Sequence, residues 1–201
     1  MHVIKLKYGN TNTYFISGLL IDTDMAGTGS AFRRELKKQG IMPDEIRYVL
    51  ATHYHPDHMG LIGELMRNGV KLLLLTHQKA YIHFSDEIYA RTPGSGFVPV
   101  DGERATVISA GESRAFLASL GIAGEILPTK SHSPDGAALL LDDGNAFVGD
   151  LEPLEYLDGY TENAPLAGDW NTLIESGADV IHYAHIPDMN IPDMNFPDSS
   201  M

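Results

Sequence analysis

The chain has 201 residues with 14 Lys and Arg against 27 Asp and Glu, a formal net charge of −13, and 43% hydrophobic residues. A chain of this length and composition can form one domain whose core needs neither disulfides nor a structural metal. It contains no cysteine, which excludes disulfides, thiolate zinc sites and cysteine nucleophiles. Any metal site must therefore use histidine and carboxylate ligands.

The charge is distributed unevenly along the chain. Residues 1–130 carry 14 basic and 13 acidic side chains, whereas residues 131–201 carry 14 acidic side chains and no basic one. The last third therefore offers no basic surface for a phosphate backbone, and we do not expect nucleic acid as a partner. No apolar stretch approaches the roughly 18 residues of a membrane span and no signal segment begins the chain, so we expect no membrane partner and a cytoplasmic location.

In chain order, short apolar runs bounded by turn residues predict nine strands, at about 2–8, 13–21, 47–51, 70–75, 104–108, 124–128, 137–142, 145–149 and 179–183. Helical patterns lie between several of these strands, at 30–39, 60–68, 77–89 after a capping Thr76, 112–120, and 170–176 after a capping Asp169. Strands that come first and later alternate with helices predict an α/β or α+β domain with its helices packed outside the sheets.

Two segments interrupt this regular order. Residues 91–103 contain two Pro and three Gly and predict a loop that forms a wall of an active site. The sequence IPDMN occurs at 186–190, repeats at 191–195 and continues as FPDSS at 196–200. A proline in every fifth position disfavours helix and strand, so we expect residues 186–201 to be an extended tail beyond a domain of residues 1–185.

The most informative segment is ATHYHPDHMG at 51–60, which follows an apolar strand and precedes a helix. It places four potential metal ligands, His53, His55, Asp57 and His58, within six residues. Imidazole and carboxylate groups suit zinc, and also iron or manganese. Because Pro56 disfavours helix before it, we expect a tight turn from which these side chains diverge toward two metals rather than one.

Three further candidate metal ligands lie at the ends of later predicted strands or in the turns between them. His132 lies in a polar turn, Asp150 ends the run AFVGD, and His185 ends the run VIHYAH. His182 is an alternative to His185, although a strand directs these two side chains to opposite faces. No GxSxG sequence is present and the GxGxxG pattern fails at Phe32, which disfavours a serine hydrolase and a nucleotide-dependent dehydrogenase.

Taken together, the HxHxDH segment followed by Met-Gly, the turn histidine, the Gly-Asp strand end and the final strand-end histidine resemble the metallo-β-lactamase fold superfamily. The resemblance covers roughly residues 3–186 and implies a four-layer αββα sandwich with metals at one edge. It also implies a first metal held by His53, His55 and His132, a second held by Asp57, His58 and His185, and a bridging Asp150. The chain departs from the family pattern at Ser131, where glycine is more usual, and around His185.

These observations predict a binuclear metal-dependent hydrolase that acts on an ester, lactone, thioester or related bond of a small molecule. A water molecule between two divalent ions can lose a proton near neutral pH and attack such a bond. Asp57 is the expected catalytic base and Asp22 would support a ligand histidine. Zinc is the expected metal, with iron or manganese as alternatives, and the acidic last third would disfavour anionic substrates.

Three other functions stay open on the same residues: an iron-dependent oxidoreductase or dioxygenase, a phosphodiesterase, and a metal-binding protein without catalytic activity. Iron bound at stoichiometric level without hydrolysis would favour the first of these. The sequence leaves the oligomeric state open.

Overall fold

The structure is a computed structural model that describes residues 1–159 and 163–191. Six strands form a first sheet: β1 (Ile4–Lys7), β2 (Asn12–Ile16), β3 (Leu19–Ile21), β4 (Tyr48–Leu50), β5 (Lys71–Leu75) and β6 (Thr106–Ile108). Five strands form a second sheet: β7 (Gly124–Pro128), β8 (Ala137–Leu141), β9 (Asn145–Gly149), β10 (Val180–Tyr183) and β11 (Met189–Asn190). The α-helices are α1 (Gly29–Gln39), α2 (Pro56–Met59), α3 (Ile62–Arg67), α4 (Asp86–Ala90), α5 (Ala110–Ser119) and α6 (Ala164–Glu175).

The strands of the first sheet lie in the order of the chain. The pairs from β1 to β3 are antiparallel and those from β3 to β6 are parallel. In the second sheet the order is β11-β10-β9-β8-β7, and only the β9–β10 pair is parallel. Each sheet therefore contains neighbouring parallel strands whose carboxyl ends lie at the same edge.

Successive side chains along a strand point to opposite faces of its sheet, so each sheet packs against a helical layer on one face and against the other sheet on the opposite face. In β5, Leu72 and Leu74 pack beneath α1 and α3, whereas Leu73 and Leu75 pack between the two sheets. In the second sheet, Leu140 packs toward the buried Trp170 of α6. The four-layer αββα sandwich predicted from the sequence is thus confirmed, with one apolar core between the sheets and one beneath each outer helical layer.

Apart from His132, which lies in the turn between β7 and β8, the predicted site residues follow the carboxyl ends of four strands. Asp22 follows β3, the HxHxDH segment follows β4, Asp150 follows β9 and His185 comes two residues after β10. Because β3 and β4 are parallel neighbours, as are β9 and β10, these side chains emerge at one edge of the sandwich.

The prediction of one helix over residues 77–89 is wrong. The structure has a 3-10 turn at Thr76–Gln78, further turns, and then the short helix α4. Gln78 is fully buried, and its side-chain amide donates to the carbonyl oxygens of Ala51 and Asp135 while its oxygen accepts the N–H of Leu75. Burial of these polar groups fixes an irregular path that a pattern of apolar residues does not reveal.

Other element boundaries differ more modestly. The predicted strand 13–21 is two strands joined by a tight turn at Ser17 and Gly18, both with positive φ. The predicted helix 60–68 is α2 and α3, and α6 begins at Ala164, so Asp169 lies within the helix and does not cap it. The pentapeptide 186–190 ends in β11, which pairs with β10, and residues 192–201 of the predicted tail lie outside the described part of the chain.

Candidate metal centre

The HxHxDH segment begins as an irregular stretch with bends at Thr52, His53 and His55 and continues as one helical turn. His55 is extended, with φ −69° and ψ 154°, and Pro56 begins α2, where its missing N–H costs no hydrogen bond. Asp57 and His58 lie on this helix. The next residue is Gly60, where a side chain would collide with the backbone of Met25 and Ala26. This close approach explains why the motif ends in glycine.

The first group of converging side chains contains His53, His55 and His132. The Nε2 atom of His53 lies 2.9 Å from Nδ1 of His55, and that Nδ1 atom lies 3.4 Å from Nε2 of His132. His53 is buried, whereas the other two rings are half-buried or exposed. One ring nitrogen from each histidine therefore faces a shared point that can be reached from solvent.

The second group contains Asp57, His58 and His185. The Nε2 atom of His185 lies 3.1 Å from Oδ2 of Asp57 and 3.3 Å from Nε2 of His58. His58 is fully buried, and its Nε2 atom lies 4.0 Å from Oδ1 of Asp57. These three side chains supply two nitrogens and one carboxylate to a second shared point.

Asp150 lies between the two groups. Its carboxylate oxygens are 3.3 Å from Nε2 of His58, 3.3 Å from Nε2 of His185, 3.9 Å from Nε2 of His132 and 4.0 Å from Nε2 of His53. The preceding Gly149 has a φ of 62°, and a side chain on it would collide with Thr52. This glycine lets the strand end turn its aspartate toward both groups.

The ring nitrogens that face away from the centre have partners of their own. Nδ1 of His58 lies 3.0 Å from Oδ2 of Asp22, and Nδ1 of His53 lies 3.2 Å from the hydroxyl of Thr52. The Thr52 hydroxyl and backbone N–H donate in turn to the carboxylate of Asp22, a buried residue with a φ of 57°. One carboxylate thus orients a histidine of each group.

Burial and neighbouring charges shift the pKa values of the centre in opposite directions. Burial, followed by the surrounding imidazoles, lowers the pKa of His53 well below its usual range. Burial also disfavours charge on His58, but the Asp22 and Asp150 carboxylates outweigh it and raise its pKa to about 10. The hydrogen bond with His185 is the main cause that lowers the pKa of Asp57 to about 2.

His182 lies outside this centre, in contact with side chains of β9 and of the segment 186–190. Its Nε2 atom is 2.8 Å from the side-chain oxygen of Asn145, its Nδ1 atom is 3.3 Å from Asp188, and its ring stacks on Phe147. Of the two histidines near the end of β10, the structure therefore brings His185, and not His182, to the seven-residue centre.

The turn that carries His132 is held by carboxylates for which the sequence predicts no role in the site. Asp169 of α6 accepts the backbone N–H of Ser131 at 2.7 Å, and Asp135 accepts the backbone N–H of Tyr54 at 2.7 Å. Both contacts join segments that are distant in the sequence, 38 and 81 residues apart, so no local pattern could have revealed them.

A cavity of about 290 Å³ opens beside the centre, and its lining includes His132, Asp150, Glu152, Tyr156, His185 and Ile186. The wall expected from residues 91–103 is therefore provided by the segments after β9 and β10. Within the predicted wall, Phe97 stacks on Tyr89, and the Tyr89 hydroxyl donates to the carbonyl of Pro56, a contact that supports α2. A larger cavity, of about 440 Å³, lies on the outer face between α1 and α3.

The donor set fits a pair of divalent metal ions. Five imidazole nitrogens and two carboxylates converge, and the nitrogens that face outward from His53 and His58 are held by partners that fix the ring orientation. Neutral imidazole and carboxylate ligands suit zinc, iron and manganese. In the described part of the chain, no helix has the length and apolar character that a membrane crossing requires.

Two relatives with curated names share part of their length with this chain. An atrochrysone carboxyl ACP thioesterase of Aspergillus fumigatus is 31% identical over 147 residues, which cover 70% of this chain and 29% of that protein. The lactamase-like protein nscB of Trichophyton rubrum is 30% identical over 161 residues, which cover 74% of this chain and 42% of that protein. The chain therefore spans less than half the length of either relative.

Similar solved structures share the fold at low identity. A metallo-beta-lactamase family protein of Thermus thermophilus has a TM-score of 0.68 at 23% identity and covers 94% of this chain and 74% of its own. BLEG-1 B3 metallo-beta-lactamase has a TM-score of 0.69 at 18% identity, with 95% of both chains covered. TTHA1623 in a di-iron-bound form has a TM-score of 0.66 at 20% identity, with 96% of both covered.

The family profile of the metallo-beta-lactamase superfamily matches residues 6–185, which is most of the chain and includes all seven residues of the centre. The resemblance that rested on the HxHxDH segment and the three later strand-end residues is thereby confirmed. This chain belongs to the metallo-β-lactamase superfamily.

Proposed function

We propose that this protein is a metal-dependent hydrolase that uses two divalent ions, expected to be zinc, on an ester, lactone or thioester bond of a small molecule. The position of Asp150 carries the proposal, because its carboxylate lies within 4.0 Å of ring nitrogens from four histidines of two groups. A carboxylate in this position can bind both members of a metal pair.

In this proposal His53, His55 and His132 hold one ion, and Asp57, His58 and His185 hold the other. Two bound divalent ions would lower the pKa of a water molecule toward neutrality and polarise the carbonyl oxygen of the substrate. The Asp57 carboxylate stays ionised in neutral solution, since its pKa is held at about 2, and it orients the attacking water as a hydrogen-bond acceptor. Asp22 and Thr52 keep the rings of His58 and His53 in the orientation that presents Nε2 to the centre.

One observation supports thioesters within this substrate class. A relative with 31% identity is named an acyl-carrier-protein thioesterase. We therefore place thioesters beside esters and lactones in the first panel of substrates.

The test is hydrolysis of this panel by protein loaded separately with zinc, iron or manganese, with the metal content measured by elemental analysis. We expect turnover with two ions per chain, loss of turnover after chelation, and loss in His53→Ala and Asp57→Asn. The variant His182→Ala is the matched control, because this histidine lies outside the centre. Stoichiometric iron with no hydrolysis of any panel member would contradict the proposal and favour redox chemistry.

A further inference from the structure

The cavity beside the centre is built from one part of the chain. Among residues 1–159 and 163–191, those that line it all fall within positions 132–186. The chain has no Lys or Arg after Lys130, so none of these lining positions carries a permanent positive charge. A substrate that enters this cavity meets Asp150 and Glu152 and no Lys or Arg side chain that could bind a phosphate or a carboxylate.

Glu152 differs from the other carboxylates near the centre. Asp150 is surrounded by histidines, whereas the side chain of Glu152 has no hydrogen-bond or ion-pair partner among residues 1–159 and 163–191. Its backbone is fixed, because the buried indole of Trp170 donates to its carbonyl oxygen at 2.9 Å and the neighbouring Leu151 is buried. A half-buried carboxylate on a fixed backbone thus lines the cavity with no hydrogen-bond or ion-pair partner in the described part of the chain, and its charge acts on the neighbouring His132.

An aromatic ring lines the same cavity. Tyr156 is 48% exposed and lies four residues after Glu152, at the start of the connection to α6. A carboxylate together with an aromatic face is the combination that binds ammonium groups, through charge on one side and the ring quadrupole on the other. The lining therefore combines attraction for a cation with the absence of any Lys or Arg that would bind an anion.

We infer that the cavity selects substrates whose non-reacting end carries an ammonium group, with Glu152 as the specificity-determining residue. This inference rests on the proposed hydrolase function and names the substrate class of the same site. The reacting carbonyl lies at the centre formed by the seven residues, and the ammonium end lies in the cavity against Glu152 and Tyr156. Substrates that end in a carboxylate or a phosphate are disfavoured at that end.

The activity test uses p-nitrophenyl esters of three acids that are matched in length and end in trimethylammonium, tert-butyl or carboxylate. Trimethylammonium and tert-butyl have the same shape. The ratio of kcat/KM between these two esters therefore measures the effect of the positive charge alone. We expect the zinc-loaded protein to favour the trimethylammonium ester over the tert-butyl ester by about fivefold, the size of one partly exposed charge contact, and to hydrolyse the carboxylate ester slowest.

Variants at position 152 test whether Glu152 causes the preference for the trimethylammonium ester. Glu152→Gln brings the ratio of the first two esters to about one, and Glu152→Lys makes the carboxylate ester the better substrate. Glu175→Gln removes the same charge from an exposed position at the end of α6 and keeps the wild-type ratio. A wild-type ratio of one or below, or an equal change in the Glu152→Gln and Glu175→Gln variants, overturns the inference.

A binding measurement separates this inference from the hydrolase proposal. Calorimetry with the corresponding p-nitroanilides gives dissociation constants for uncleaved compounds, with the metal-free and the zinc-loaded protein. We expect the trimethylammonium anilide to bind about fivefold more tightly than the tert-butyl anilide, and Glu152→Gln to abolish this difference. If no ester is hydrolysed but this difference is found, the hydrolase proposal fails and the ammonium site stands; if the anilides bind equally, the ammonium site fails.

Discussion

Replacing Asp22 by Asn tests whether one buried carboxylate organises both halves of the centre. Asp22 accepts the Thr52 N–H at 2.7 Å and the Thr52 hydroxyl at 2.9 Å, and its Oδ2 atom lies 3.0 Å from Nδ1 of His58. Asn keeps the shape and tolerates the positive φ of 57° at this position. Its amide nitrogen, however, must face one of these donors, so the substitution isolates the loss of a charge-assisted hydrogen bond.

We expect this loss to lower the free energy of unfolding of the metal-free protein by about 1.5–3 kcal/mol, because a buried donor is left without an acceptor. We also expect zinc affinity to fall by about 10- to 100-fold, the usual cost of removing a partner of a ligand histidine. The second group should lose more than the first, since Asp22 contacts His58 directly and reaches His53 only through the Thr52 hydroxyl.

The assays are urea denaturation of the metal-free protein and zinc titration against a chromophoric chelator. Asp24→Asn is the matched control, because this carboxylate is also buried and accepts the backbone N–H groups of Thr11 and Met25. It should lose stability and keep zinc affinity. Wild-type zinc affinity in Asp22→Asn, or an equal loss in Asp24→Asn, would show that Asp22 does not organise the two groups of ligands.

Three further predictions concern the supports and limits of the centre. Asp169→Ala releases the N–H of Ser131 and should weaken the first ion, held through His132, about tenfold more than the second; a chelator titration in which both ions weaken equally would contradict this. Gly149→Ala should lower the free energy of unfolding by about 2 kcal/mol or more, because of its positive φ and the collision with Thr52, whereas Gly111→Ala in α5, where a side chain meets nothing within 4 Å, should raise it by about 0.5–1 kcal/mol in the same denaturant titration. His185→Ala should lose one ion per chain by elemental analysis and His182→Ala none, and the reverse result would move the second ion to the other histidine.

The fold and the four candidate ligands of the HxHxDH segment could be predicted because their signals are local. The uninterrupted apolar run from Leu72 to Leu75 indicates a strand buried on both faces. The spacing within the HxHxDH segment at 53–58 is compact enough to indicate a shared centre. His132, Asp150 and His185 are single polar residues at the ends of apolar runs, and each is a weak signal by itself. The resemblance to the metallo-β-lactamase superfamily, and not a local pattern, assigned them to the centre.

The features that escape prediction depend on contacts between distant segments. The apolar pattern over 77–89 favours a helix, but the buried hydrogen bonds of Gln78 with Ala51 and Asp135 impose turns. Asp169 has the sequence context of a helix cap, yet it accepts the N–H of Ser131 from inside α6. Residues 91–103 have the length and turn content of a cavity wall, whereas Glu152 and its neighbours form it. Tertiary packing determines these features of the structure, and a pattern of neighbouring residues carries no information about it.

Asp150 is proposed to join two metal sites within one centre. Its bridging role is tested by equilibrium zinc titration of the wild-type protein and of Asp150→Asn, with metal content checked by elemental analysis. We expect two ions per wild-type chain and weaker binding of both ions in the variant, because the shared carboxylate lies against histidines of both groups. A single ion per wild-type chain, or two ions whose affinities are both unchanged in Asp150→Asn, would show that Asp150 does not bridge two metal sites.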